Sequence, residues 1–237
     1  MVMVDGRLDE VQYTRPQEQT AGIMASFLRF LRQIMVPTLV LCGLAVMAFV
    51  ERSQPVSLLG VLSFSDARVD PGPWFTMGHI WLLAMFGIVN LTSRRYGAGV
   101  ATGSVVLTAA VLGGVWAYAA YGAAHVVLSE EMIGALVVQP MAYAMALSLV
   151  TGLLVAVVVF DLVRGRPWWK APLLAPLIGG AVFVGLFHTL GDTALTGTFV
   201  ERAVVHFAVV TFATLVMLVI YHMLRSLIPP APGYGGA

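Results

Sequence analysis

Six long stretches of the chain contain no Asp, Glu, Lys or Arg: Gln33–Val50, Pro71–Ser93, Tyr96–Ser129, Met132–Phe160, Ala171–Gly191 and Ala203–Leu224. A helix that crosses a bilayer needs about 20 mostly apolar residues. Each stretch therefore predicts one span, with trimmed cores at 34–50, 74–91, 101–124, 138–160, 171–190 and 203–224. The stretches are continuously apolar and do not alternate, which selects helices over the strands of a barrel. In lipid the backbone must satisfy its own polar groups, and a helix does so within one segment. The pattern predicts an all-α polytopic membrane protein with six transmembrane helices.

The polar positions divide the rest of the chain. Residues 1–33 form a cytoplasmic extension that carries Asp5, Asp9, Glu10, Arg15 and Glu18. It ends in a short amphipathic stretch, in which Phe27, Leu28, Phe30 and Leu31 stand beside Arg29 and Arg32, the pattern of an interfacial helix. The membrane domain occupies 34–228, and 229–237 (PPAPGYGGA) is a Pro/Gly-rich tail with no packing signal. The charged leader is too long for a signal peptide, and no clean small-x-small cleavage site follows the first span.

Composition agrees with this division. Of 237 residues, 59% are hydrophobic and 11% are charged, against roughly 25% charged in soluble chains. That balance excludes a nucleic-acid binder, a secreted disulfide scaffold and a disordered regulator. The single cysteine, Cys42, lies inside an apolar run and has no partner for an internal disulfide. The net charge of +1 says little, but its distribution says more. Ten of the thirteen Lys and Arg fall in the N-terminal segment, the 92–98 loop, the 161–170 loop and the C-terminal tail; Arg52, Arg68 and Arg202 occupy the other three loops. By the positive-inside rule both termini are cytoplasmic, in the inner membrane of the cell.

Small residues repeat at four-residue spacing in the third span (Ala109, Gly113, Ala117), and Gly179–Gly180 lies in the fifth. Both predict close helix packing. Trp74, Trp81, Trp168 and Trp169 fall near predicted interfaces.

The ionisable residues within this frame are the candidates for chemistry. His79, His125, His188 and His206 all fall at the outer ends of spans, and only His222 is near the cytoplasmic side. Glu130, Glu131, Asp192 and Glu201 share the outer half. His188 and Asp192 stand four apart, which presents both on one helix face, and His206 on the next span returns to the same depth. Two imidazoles and a carboxylate suit a transition metal with open coordination positions. His125, Glu201 and His79 are placed to support such a site. Haem is a second possibility, with His79 and His206 as axial ligands at equal depth. A third is a solute path through Asn90, Thr92, Gln139, Ser148 and Thr151, on spans interrupted by Pro140 and Gly152. There is no G-x-S-x-G, no HExxH and no CxxC.

The stretch His188-xxx-Asp192-x13-His206, with Phe199-Val200-Glu201 between, resembles one element of the copper-binding membrane component of particulate methane and ammonia monooxygenases. That family carries Asn-xxx-His-x13-His at the outer end of two consecutive helices. His188 stands where the family has Asn, Asp192 where it has the first His, and His206 matches the last. The family's other motif would place Tyr121 and His125 with no second histidine following. The likeness covers about 20 residues closely and the basic turn at Arg164–Trp169 more loosely. It implies copper, redox chemistry of the monooxygenase type and further membrane subunits as partners, or a homo-oligomer. Pro55–Gly60, Leu91–Gly97 and Trp168–Pro172 look similar to stretches of the queuosine-precursor and vitamin uptake-like transporters, in the same order. That likeness implies a small-solute permease, with Asn90 standing where that family has an acidic residue. An assembly subunit with no site of its own is the remaining alternative.

Overall fold

A computed structural model describes residues 22–56, 75–120, 140–165, 167–191 and 199–230. Six helices account for almost all of them: α1 Gly22–Val50, α2 Met77–Tyr96, α3 Ala98–Ala120, α4 Pro140–Val163, α5 Lys170–Gly191 and α6 Phe199–Leu224. Each overlaps one of the six apolar stretches, and the predicted cores 74–91, 101–124 and 138–160 extend past the described residues. Five contain segments long and apolar enough to cross a membrane, namely Ala25–Val50, Ala98–Tyr118, Tyr143–Val163, Lys170–Gly191 and Val200–Leu224. This is the build of a multi-pass helical membrane protein. The amphipathic stretch before the first span and the span itself form one continuous helix, α1, which passes through Pro37.

The exception to the apolarity criterion is α2, which holds Gly78, His79, Asn90, Thr92, Ser93, Arg94 and Arg95 within its 20 residues. Its place in the bundle accounts for that composition. α2 packs against each of the other five helices, and Gly78, Leu83, Met85, Phe86, Val89, Asn90, Thr92 and Ser93 are buried. A helix enclosed by protein can carry polar groups, because its neighbours satisfy them in place of lipid.

The other contacts follow chain order. α1 packs on α2 and α3, α3 on α4, α4 on α5, and α5 on α6. Glycines set the closest approaches. A Cβ on Gly152 of α4 would stand 2.7 Å from the Gly179 carbonyl of α5 and 2.9 Å from Phe183 Cβ. A Cβ on Gly180, one residue further round α5, would meet Val210 Cγ1 of α6 at 2.5 Å. The Gly179–Gly180 pair thus seats α4 with one residue and α6 with the other. The α3 repeat behaves differently: a Cβ on Gly113 or Gly114 would meet nothing within 4 Å. Among the described residues, the predicted close packing at this face is not made.

Local signals explain the helix ends. Gly97, with φ 84°, terminates α2 and returns its N–H to Ser93 O at 3.0 Å; α3 begins at the next residue. Only glycine takes that φ without strain. Pro140 opens α4, where the missing N–H costs nothing. Several hydroxyls that interrupt the apolar faces bond to their own helix four residues back. Ser104 donates to Val100 O at 2.7 Å, Thr92 to Ile88 O at 2.8 Å, and Thr151 to Leu147 O at 2.8 Å. Ser148, fully buried, donates to Ala144 O at 2.5 Å. This is how a hydroxyl is accommodated where water is absent.

At one end of the bundle, Trp168 before α5 is covered by the guanidinium of Arg225, 4.4 Å from its ring, and by the imidazole of His222, 4.6 Å between centroids. Arg95 at the end of α2 donates to Pro229 O beyond α6. The C-terminal ends of α2 and α6 and the start of α5 therefore meet at an arginine-rich end. The opposite ends of α2, α5 and α6 hold the histidines.

Candidate metal centre

Three of the five histidines gather at that opposite end. His206 has no exposed surface and His188 only 7%. His188 Nε2 and His206 Nδ1 lie 3.2 Å apart, with ring planes at 83°. The Gly180–Val210 approach makes this possible. α5 and α6 run antiparallel, so His188, two turns beyond Gly180, meets His206, one turn before Val210. His79 of α2 completes the cluster, its ring 5.7 Å from that of His206 and edge-on at 81°.

The walls are aromatic. Phe183 and Phe187, one helical turn apart on α5, stand edge-to-face with His206 at 5.5 and 5.8 Å. Phe187 also meets His188 at 5.1 Å, and Phe75 stacks on His79 at 5.2 Å. The imidazoles thus occupy a dry, low-dielectric pocket in which polar contacts between them are strong.

The turn before α2 decides what His79 contributes. The chain pairs with itself there: Val56 N–H donates to Phe75 O at 3.1 Å, and Met77 N–H to Gln54 O at 2.9 Å. This places Thr76 as the N-cap of α2, and its N–H donates to His79 Nδ1 at 3.2 Å. A ring nitrogen that accepts a hydrogen bond carries a lone pair, so the proton of neutral His79 sits on Nε2. His79 is therefore a helix-capping residue, with Thr76 Oγ1 also 3.1 Å from its Nδ1. Trp81 holds the same corner by donating to Glu51 Oε2 at the end of α1, at 2.7 Å.

His188 and His206 differ, because two nitrogens meet directly. In the absence of an ion one ring donates and the other accepts. With an ion, two imidazole nitrogens each about 2.0–2.1 Å from a tetrahedral centre are separated by roughly 3.3–3.4 Å. The observed 3.2 Å is close to that separation. Among the described residues no group of three or more His, Cys, Asp or Glu is arranged to hold a metal ion. The pair brings two imidazole nitrogens together without a third such group among the described residues.

The other sequence-predicted residues fall as follows. Asp192, His125 and Gln139 lie outside the described residues. Glu201 is exposed in the first turn of α6; five residues before His206, it is rotated by roughly 140° from that face. Asn90 is buried at the centre of the bundle, away from the histidines, and donates through Nδ2 to Pro172 O at 3.3 Å. The reason is visible in α5. The Pro172 carbonyl would bond the N–H of residue 176, which is Pro176 and has none. Asn90 supplies the missing donor.

Sequence reasoning missed Phe75, Phe183 and Phe187. The recurrence of Phe at 183 and 187, immediately before His188, was the available signal.

No protein-family model, curated protein or solved structure matches the chain.

Proposed function

We propose that this chain is an integral membrane subunit that binds a transition-metal ion through His188 and His206 and serves a metal-dependent redox complex. The supporting observation is the buried 3.2 Å contact between one nitrogen of each ring, made by residues on consecutive helices. Imidazole ligands suit copper, zinc, iron and nickel; the resemblance of the His188–His206 stretch to the monooxygenase family favours copper. Asp192, four residues after His188, is the nearest acidic residue in sequence for a third ligand. A small ion suits this packing better than haem, whose macrocycle would have to enter between rings already in contact. The positive-inside distribution puts both termini in the cytoplasm and the histidine end outside. Copper bound there would supply one-electron chemistry, with electrons delivered by partner proteins.

The test is metal content after purification and exposure to Cu(II). The expected result is about one ion per chain in the wild type and background levels in His188→Ala and in His206→Ala. His79→Ala should keep the ion, because its ring caps α2. Equal metal in the wild type and both ligand variants would overturn the assignment.

A further inference from the structure

A second polar feature lies deeper in the bundle. Asn90 is 3% exposed. Its Nδ2 is committed to the proline-freed carbonyl of Pro172, which also fixes the orientation of the amide, since the flipped form would set two oxygens against each other. Its Oδ1 has no hydrogen-bond partner among the described residues. An acceptor left buried in this way carries the full penalty of its desolvation.

Asn90 lines a small cavity between α2, α5 and α6, bounded also by Phe86, Pro172, Pro176, Thr214 and Tyr221. Its volume of about 10 Å³ is close to the 10–15 Å³ that one water needs. Thr214 Oγ1 spends its own proton on Val210 O at 2.8 Å, so it offers only lone pairs. The residues around the cavity therefore offer two acceptors, Asn90 Oδ1 and Thr214 Oγ1. The complementary occupant is neutral, one heavy atom in size, and carries two hydrogens.

We propose that this cavity is a binding site for a single water molecule, which donates to Asn90 Oδ1 and to Thr214 Oγ1 and so joins α2 to α6. The site is separate from the histidine pair. Asn90 and His79 stand eleven positions apart on α2, about 16 Å of helix. Leu83 and Val210 line the same cavity with apolar surface.

Infrared spectroscopy of the protein in lipid should show a sharp O–H stretch of a weakly bonded water that shifts in H2(18)O. Ala213→Val narrows the cavity without touching Asn90, and it should abolish the band. It should also lower the apparent Tm by about 2–4 °C, since the displaced water leaves Oδ1 bare. Thr214→Val should shift the band without removing it, and Asn90→Leu should remove it. A wild type with no isotope-sensitive band would overturn the proposal. So would an Ala213→Val variant of raised Tm, which is the behaviour of a dry cavity that has been filled.

Discussion

His206 has no contact with solvent, so the bundle must provide everything its ring requires. Its surroundings divide into a polar edge, where His188 sits, and an aromatic wall formed by Phe183 and Phe187. Phe183 is itself fully buried. Replacing it by alanine removes a ring from a packed site and should cost about 3–5 kcal/mol. The check is thermal or denaturant unfolding in detergent, with metal content measured in parallel. Asn90 allows a sharper test, because its partner exists only through a proline. Asn90→Ala should cost about 1–3 kcal/mol by leaving the Pro172 carbonyl without a donor. Pro176→Ala restores an N–H at the position that carbonyl would normally bond. In that background Asn90→Ala should cost much less, and a double-mutant cycle with no coupling would contradict the pairing. At this scale the sequence is partly legible. The spacing of His188 and His206 announces a meeting, because chain order and depth suffice to predict it. The tautomer of His79 depends on a turn between residues far apart in the chain. The bond from Asn90 depends on which of five neighbours faces it. Neither is written in local pattern, which by itself makes Asn90 a point on a solute path.

At the level of elements, the apolar stretches fall on helices, five of which hold segments long and apolar enough to cross a membrane, since continuous apolarity over some twenty residues has few other solutions. What periodicity cannot convey is which small residues matter. Gly113 of α3 and Gly152 of α4 look alike in sequence, yet one opens on empty space and the other faces a carbonyl. Gly152→Leu should therefore separate α4 from α5 and destabilise the protein by several kcal/mol, as overpacking does when backbone must move. Gly113→Leu should leave the monomer's unfolding unchanged or slightly improved. Parallel unfolding curves for the two variants separate the cases. Thr92, Ser104, Ser148 and Thr151 interrupt apolar faces at little cost, because each hydroxyl is bonded within its own helix.

The whole molecule has two chemically distinct ends. At one, imidazoles and phenyl rings exclude water; at the other, Arg95 and Arg225 tie α2, α5 and α6 together around Trp168. Trp168→Ala removes the surface shared by Arg225 and His222 and should cost about 1–2 kcal/mol, measurable as a lowered apparent Tm with the metal stoichiometry unchanged. The proposed orientation is checked separately. A cysteine placed at Ser226, in a chain with Cys42→Ala, should react with a membrane-impermeant thiol reagent only from the cytoplasmic side.

The central position of α2 has a consequence for biogenesis. The helix that touches all five others is also the one least able to enter lipid unaided, because it alone of the described helices holds no segment apolar enough to meet the length and composition of a span, and Asn90 lies within it. Of the described helices, only α1 precedes it in the chain. Insertion of α2 should therefore wait on the arrival of α3 and be completed as the later helices close around it. A nascent chain ended after Gly97 should leave much of α2 outside the bilayer, while one extended through α3 should retain it. Glycosylation-site mapping of the two lengths would show the difference.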